Sequence, residues 1–231
     1  MPSKMKYSAA FHLVTGLSGI GFAAVIFLVN MIILVPAGEP APGSDVGAIV
    51  DFYGAEDGAV TLASMFLPVS WFAATLFGVG AVSAARGAER ERSEAWSLAG
   101  LAGILLQNGT FAVLSAVRIT LAETGGSVAP EALAVFHDAL LLLNGTFLAL
   151  ALTGLSIAGL RSGVVRRWQA SVGFCAAVLQ FASAVLAPLV LEHGGALGYI
   201  GLAGWLLWVV WLVCYGIALM RFGKRRSLGR A

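Results

Sequence analysis

The chain has 231 residues, of which 59% are hydrophobic and 11% are charged. Soluble domains carry about 25% charged residues, so this composition argues against an ordinary soluble domain and indicates a membrane protein. The formal net charge is only +2, and no basic run is interleaved with base-stacking aromatics, so nucleic-acid binding is not expected.

Six apolar stretches are long enough for the roughly 20 residues that a membrane-spanning helix needs. They predict an all-α, polytopic membrane protein, a single domain over residues 1–231 built as a bundle of six transmembrane helices. The predicted spans are about 11–35, 59–85, 96–121, 130–160, 168–191 and 196–220. Pro68 and Pro188 lie inside the second and fifth spans, and each should bend its helix because the ring removes a backbone hydrogen bond.

The first span has two interpretations. Lys4 and Lys6 followed by an apolar run resemble a secretory signal peptide, and Val35-Pro36-Ala37 could serve as a cleavage site. The apolar region of a signal peptide runs for about 7–15 residues, whereas this one is considerably longer. An uncleaved membrane anchor is therefore the favoured interpretation.

The connection between the first two spans is long, and its sequence has the pattern of a further, shorter helix. Ser44 predicts an N-cap and Asp45 a favourable charge in the first turn. Apolar residues then recur at helical spacing: Val46, Ile49, Val50 and Tyr53. The pattern predicts a short amphipathic helix, which either lies on the outer membrane surface or packs as a lid on the helix ends.

The basic residues predict the orientation of the bundle. Of the 14 Lys and Arg residues, 13 fall at the chain ends, between spans two and three, or between spans four and five. The predicted topology places all these segments on one side, and nine of the 12 acids on the other. Because cytoplasmic loops carry an excess of Lys and Arg, we predict a multi-pass protein of the cell membrane with cytoplasmic N- and C-termini.

Spans three and four share a four-residue word. Asn108-Gly-Thr-Phe111 recurs as Asn144-Gly-Thr-Phe147, and both copies fall near the middle of their spans. Glycine lets two backbones approach, and Asn or Thr can hydrogen-bond across the gap. The repeat predicts a crossing of these two helices at similar depth, and a ligand-binding role for Asn108 and Asn144 is the alternative.

The third span also carries Arg118, the one basic residue away from the basic side. A guanidinium at this depth costs a few kcal/mol unless it reaches water or finds a partner. The next helix returns with His137 and Asp138 in its second turn, and a short connection makes the two helices antiparallel neighbours. Gln107 shares a helix face with Arg118, and Asn144 shares one with His137. We expect Arg118 near Asp138 and His137, either as a structural pin or as an outward-facing ligand site.

The sixth span opens with small residues and continues with aromatic ones. The small residues are Gly195, Gly198, Gly201 and Gly204, and the deeper aromatics include Trp208 and Trp211. The glycine row predicts close helix contact, either within the chain or with a membrane-protein partner or a second copy. The two tryptophans line a pocket for a flat apolar ligand, face lipid, or fill the bundle.

Four short motifs resemble a known family. Phe136-His137-Asp138 opens span four, Gly159-Leu160-Arg161-Ser162-Gly163 closes it, Arg167-Trp168 opens span five, and Gly173 follows inside it. In these motifs the chain resembles an uncharacterised family of six-helix bacterial integral membrane proteins, known only as a domain of unknown function. That family usually has a Gly-rich hairpin with a Pro before the tryptophan, and in this chain Arg166-Arg167 occupies that stretch. The resemblance implies a fold for most of the chain and no function.

The sequence carries no recognised catalytic, metal or cofactor motif, so no cofactor is expected, and its two cysteines are expected to be buried thiols. We expect a protein that binds or transports an amphiphilic or lipid-like molecule, or an accessory subunit of a membrane complex. The alternative is an intramembrane enzyme with an outer-leaflet site around Arg118, His137 and Asp138. Binding needs only a groove and a few polar contacts, whereas catalysis needs a water-accessible cluster of titratable groups, so binding is favoured.

Overall fold

A computed structural model describes the backbone of residues 2–124 and 127–228 and the side chains of residues 9–124 and 127–225. The side chains of Lys4, Lys6 and Arg226, and all of Arg230, therefore lie outside the described residues. The helices are α1 (Pro2–Phe27), a π-helical segment (Leu28–Leu34), α2 (Val35–Ala37), α3 (Val46–Ala55), α4 (Asp57–Arg92), α5 (Trp96–Thr124), α6 (Pro130–Leu143), α7 (Gly145–Arg161), α8 (Arg167–Val185), α9 (Ala187–His193), a 3₁₀ turn (Gly195–Leu197) and α10 (Gly198–Leu228).

Within the described residues, six helical stretches are long and apolar enough to cross a membrane, as expected of a multi-pass membrane protein. They are Ala9–Ala37, Asp57–Arg92, Trp96–Thr124, Pro130–Arg161, Arg167–Val185 and Gly195–Arg225. Large apolar side chains such as Met65, Phe72 and Val178 are exposed on the outside of the bundle. The predicted all-α bundle of six helices is confirmed.

The six spans form a closed ring in which each packs against its neighbours in sequence. α1 packs on α4, α4 on α5, α5 on α7, α7 on α8, and α8 on α10, and α10 returns to pack on α1. The centre of the ring is filled by large buried side chains, which include Phe77, Leu152, Leu155, Trp211 and Tyr215. Successive spans are antiparallel, so the connections alternate between two ends of the bundle.

The two ends of the bundle differ in charge. One end is called the basic end below. It holds the connections 93–95 and 162–166, the first turns of α1 and the last turns of α10. The opposite end, which holds α3, α9, the last turn of α5 and the first turn of α6, is called the acidic end. α3 packs on α5 and α6 there, which confirms the predicted loop helix, although its N-cap is Asp45 and not Ser44. The Asp45 side chain accepts the Ala48 N–H at 3.2 Å.

Two spans depart from the regular helices that the sequence predicts. The first span widens into a π-helix at Leu28–Leu34, just before Pro36, whose ring would clash with a carbonyl of a regular α-helix. In the fifth span, α8 ends at Val185, and α9 begins at Ala187 with Pro188 in its first turn. Pro188 therefore starts a new helix where we expected a bend, because proline is well tolerated at a helix start. Pro68 lies inside α4 as expected.

Two expectations about small residues in the last spans need correction or refinement. Cys175 is exposed on the bundle surface and Cys214 is half-buried, so the prediction of two buried thiols is wrong for Cys175. In the glycine row of the sixth span, a Cβ at Gly201 or Gly204 would press on Ser183 or Leu179 of α8. These two glycines are used for close packing inside the chain.

α5 and α7 approach each other closely at Gly103, which lies nearer the basic end than the Asn108–Phe111 copy of the shared word. A Cβ on Gly103 would lie 2.5 Å from the Ala151 nitrogen and 2.7 Å from the Phe147 oxygen. Gly109, inside the shared word, has no neighbouring atom within 4 Å of such a Cβ. The helices do cross in contact, but the crossing is made by Gly100, Gly103 and Gly154, and Gly109 takes no part in it.

The pair Gly103 and Gly109 offers a matched test of this crossing. We expect Gly103→Ala to lower the free energy of unfolding by about 1–3 kcal/mol, because the added methyl overlaps backbone atoms that cannot move alone. Gly109→Ala, the same change in the same helix, should be neutral or stabilising, since alanine favours helix and meets open space. Unfolding by SDS titration in mixed micelles measures both. Equal effects of the two variants would contradict the crossing.

Candidate functional site

Five polar side chains from four segments meet at the acidic end of the bundle. Arg118 lies near the end of α5, His137 and Asp138 lie in α6, Tyr53 lies in α3, and Glu39 follows α2. Arg118, His137, Asp138 and Tyr53 are all buried, and Glu39 is largely buried. These five residues are called the polar clamp.

Glu39 reaches the clamp because of the way the first span ends. Gly38 has a φ of 96°, in the left-handed region, and terminates α2. Its N–H donates to the Val35 carbonyl, and the N–H of Glu39 donates to the Leu34 carbonyl at 3.0 Å. Glycine adopts this conformation without steric cost and commonly ends helices in this way. The turn carries the chain across the acidic end, where the Glu39 side chain reaches Arg118.

Arg118 is the centre of the clamp. Its Nη2 lies 2.7 Å from Glu39 Oε1 and its Nε lies 2.9 Å from His137 Nε2. The Tyr53 hydroxyl lies 2.9 Å from the same Glu39 oxygen and 3.1 Å from His137 Nε2. The buried charge of Arg118 is thus compensated by an acid and by a ring nitrogen, as burial of a guanidinium requires.

Asp138 extends the clamp to the loop that follows Glu39. Its Oδ1 lies 2.9 Å from His137 Nδ1, and its Oδ2 accepts the backbone N–H of Gly43 at 2.8 Å. The loop is therefore attached to the bundle twice, by the Glu39 side chain and by the Gly43 backbone. The clamp joins α3, α5, α6 and the first loop into one unit.

The chemistry of the partners assigns the protons in the clamp. Arg118 can only donate, so His137 Nε2 accepts, and Nδ1 then carries the proton that is donated to the Asp138 carboxylate. His137 is therefore neutral in this arrangement, and both of its ring nitrogens are engaged. Burial raises the pKa of Tyr53, which lies outside the spans, and the neighbouring Glu39 carboxylate raises it as well. The Tyr53 hydroxyl therefore stays protonated and donates to Glu39.

The predicted pairing of Arg118 needs correction. Its acid partner is Glu39, and Asp138 is hydrogen-bonded to His137 instead. His137 is close to Arg118, as we expected. The structure adds Glu39 and Tyr53, which we did not single out for this site. The available signal was the buried Arg118 itself, since it demands an acid and Glu39 is the first acid after the first span.

The remaining predicted site residues lie away from the clamp. Gln107 is buried in α5, 11 residues before Arg118 and so about 16 Å deeper along the helix. The Asn108 side chain donates to the Trp71 carbonyl and the Thr75 hydroxyl of α4, at 3.1 and 3.2 Å. Asn144 is buried where α6 meets α7. Whether any of them binds a ligand stays a prediction.

Trp208 and Trp211 fill the centre of the bundle. Both are buried, and their rings meet Phe22 and Phe77 edge to face, with centroids 5.4 and 6.1 Å apart. Tyr215 packs on Trp211 at 5.1 Å. Of the three interpretations of these tryptophans, the packing agrees with a filled core.

A groove lies beside the clamp, between α3 and the first turns of α6, with a volume of about 910 Å³. Its floor is apolar and includes Val46, Val50, Val135 and Phe136, and its rim carries three exposed carboxylates from Asp45, Asp51 and Glu131. The same two helices carry Tyr53, His137 and Asp138, which are buried and lie outside the lining of the groove. The clamp therefore sets the spacing of the two walls of the groove.

Comparisons with known proteins add no relative. No protein-family model matches the chain, and neither curated proteins nor solved structures give a match. The resemblance to a family of six-helix bacterial membrane proteins therefore stays a prediction. In the part of the chain that the structure describes, no group of three His, Cys, Asp or Glu side chains is placed to hold a metal ion.

Glu39 and Glu123 offer a matched test of the clamp. We expect Glu39→Gln to lower the free energy of unfolding by about 3 kcal/mol, because it leaves the buried Arg118 charge uncompensated. Glu123→Gln removes the same charge from an exposed position on the same helix as Arg118, and should change stability by less than about 0.5 kcal/mol. SDS titration in mixed micelles measures both.

A double variant completes this test. Adding Arg118→Met to Glu39→Gln should cost far less than the sum of the single effects, since the second change removes the charge that the first left unpaired. Additive effects, or a Glu39→Gln effect no larger than that of Glu123→Gln, would contradict the clamp.

Proposed function

We propose that this protein binds an amphiphilic, lipid-like molecule with a cationic headgroup in the groove between α3 and α6. The observation that carries the proposal is the combination of an apolar floor with a rim of three exposed carboxylates. An alkyl or acyl chain would lie on Val50, Val135 and Phe136, and a cationic head would be attracted to the rim.

The dimensions of the groove support a small-molecule ligand. Its volume of about 910 Å³ falls within the range of about 300–1,000 Å³ that is typical of such sites. Phe136 is 48% exposed and Val135 is 46% exposed, so both can contact a ligand. The walls are already held in place by the clamp, which lowers the cost of ordering the site on binding.

The engaged state of the clamp favours binding over catalysis. A general base needs a ring nitrogen that can reach a substrate proton, and both nitrogens of His137 are occupied by Arg118 and Asp138. Arg118 itself is buried and paired with Glu39, so an anionic ligand would first have to displace that carboxylate. We therefore propose a binding or transport role, or that of an accessory subunit, with the intramembrane enzyme as the alternative.

We further propose that the protein lies in the cell membrane with the basic end and both termini in the cytoplasm. Support comes from the distribution of the Lys and Arg residues, of which 13 of 14 fall at the two chain ends, between spans two and three, or between spans four and five. The exception, Arg118, is neutralised by Glu39 and so contributes no free positive charge to the acidic end. In this orientation the groove opens at the outer leaflet.

Two probes of equal chain length test the groove, a spin-labelled alkyl trimethylammonium and the matching alkyl sulfate. In phosphatidylcholine nanodiscs, we expect electron paramagnetic resonance to show a larger immobilised fraction of the cationic probe. Asp51→Asn with Glu131→Gln should weaken its binding about 25-fold, at about 1 kcal/mol per charge. Asp57→Asn with Glu123→Gln, exposed acids of the same end outside the groove, is the control. Equal binding of both probes, or equal effects of both variants, would contradict the proposal.

Single cysteines test the orientation. In a chain with Cys175 and Cys214 replaced by Ala, an impermeant maleimide should label Gly47→Cys in intact cells. It should label Ser93→Cys only after the membrane is opened, because that residue lies in a connection of the basic end. Both positions are exposed, so accessibility differs only by side of the membrane. Labelling of Ser93→Cys in intact cells would contradict the orientation.

A further inference from the structure

A second, smaller pocket lies at the basic end, far from the clamp and the groove. It has a volume of about 90 Å³ and is lined by the connection after α7, the first turn of α8 and one face of α10. Three arginines line it, Arg166, Arg221 and Arg225, and no acid is among its lining residues. The nearby Glu94 pairs with Arg161, outside the pocket.

The pocket is a built feature of the fold. Gln169 Nε2 donates to the Cys214 carbonyl of α10 at 3.1 Å, which pins the start of α8 to α10. Gln169 Oε1 accepts the backbone N–H of Arg166 at 2.7 Å, which fixes the entry into α8. Arg221 and Arg225 are one helical turn apart on α10 and therefore point to the same side. These hydrogen bonds hold together the two helices whose residues Arg166, Arg221 and Arg225 line the pocket.

The charge of the pocket favours an anion. Three arginines contribute a formal charge of +3, and arginine matches phosphate with two parallel hydrogen bonds. The pocket also includes the first turn of α8, a 19-residue helix whose dipole adds positive potential at that point. The arginine side chains and the start of α8 thus surround one small pocket.

The size and surroundings of the pocket narrow the class of anion. About 90 Å³ is too small for a whole drug-sized ligand, which needs about 300 Å³ or more, but suits a single phosphate group. Trp168 lines the pocket and is 53% exposed at the start of a span, the position that tryptophans prefer at a membrane interface. The pocket therefore lies where lipid headgroups lie.

From these observations we infer that the pocket at Arg166, Arg221 and Arg225 binds the headgroup phosphate of an anionic phospholipid. Basic pockets between transmembrane helices are suited to such headgroups. A zwitterionic phospholipid carries the same phosphate, but its choline would be repelled by the three arginines. The lipid would fill the seam between α8 and α10 at this face of the membrane.

Native mass spectrometry of the full chain tests the inference. Released from nanodiscs that contain phosphatidylglycerol and phosphatidylcholine, the wild type should retain phosphatidylglycerol preferentially. Arg166→Gln with Arg221→Gln should weaken retention about fivefold per arginine, the equivalent of about 1 kcal/mol each. Arg86→Gln with Arg90→Gln is the matched control, since both are exposed arginines of the basic end outside the pocket, and it should retain the lipid as the wild type does.

Other outcomes would overturn the inference. Equal losses in the two double variants would mean that only the general positive charge of this end attracts the lipid. Equal retention of the two lipids by the wild type would remove the preference altogether. Displacement of phosphatidylglycerol by millimolar inorganic phosphate, in the wild type and not in the pocket variant, would identify a soluble phosphate as the ligand. If the double variant fails to fold, Arg221→Lys serves instead, and it should lose retention because an ammonium lacks the planar fork.

Discussion

The buried ion pair between Arg118 and Glu39 determines the structure of the acidic end. A guanidinium inside an apolar bundle must be compensated, and here the compensating carboxylate is supplied by the loop that leaves the first span. That requirement draws the loop across the helix ends. The loop in turn brings Tyr53 against the same carboxylate and sets α3 against α5 and α6. The groove exists because α3 is held at this distance from α6.

The clamp and the ring of helices stabilise the molecule in different ways. The ring is held by close contacts of small residues and by a core of large aromatic and aliphatic side chains. The clamp consists of charges, and a buried ion pair often contributes little more net stability than apolar residues of the same volume. Its directional hydrogen bonds instead select one position for the loop. We interpret the clamp as the device that gives the acidic end a unique conformation.

The sequence predicted the six spans and the loop helix because both depend on local apolar patterns, and the bilayer imposes a length that few other structures need. It did not predict the partner of Arg118. Asp138 is close in the topology and was the natural choice, whereas Glu39 reaches Arg118 only through the left-handed turn at Gly38. The glycines of α5 that face α7 were likewise not those of the repeated word, since Gly100 and Gly103 face the other helix and Gly109 does not. Which face of a helix meets its neighbour depends on packing with all the others.

The closure of the ring between α1 and α10 has a consequence for the biogenesis of this protein. Ribosomes synthesise the spans in order, so α1 enters the membrane long before α10, one of the two helices that it packs against, has been made. Until then the face of α1 that α10 later covers is open to lipid, including Gly16 and His12, which end up against Gly216 and Phe222. A polar ring such as that of His12 is costly in hydrocarbon. A chain that stalls before the last span therefore leaves this polar side chain uncovered, and the sixth helix covers it once it is in place.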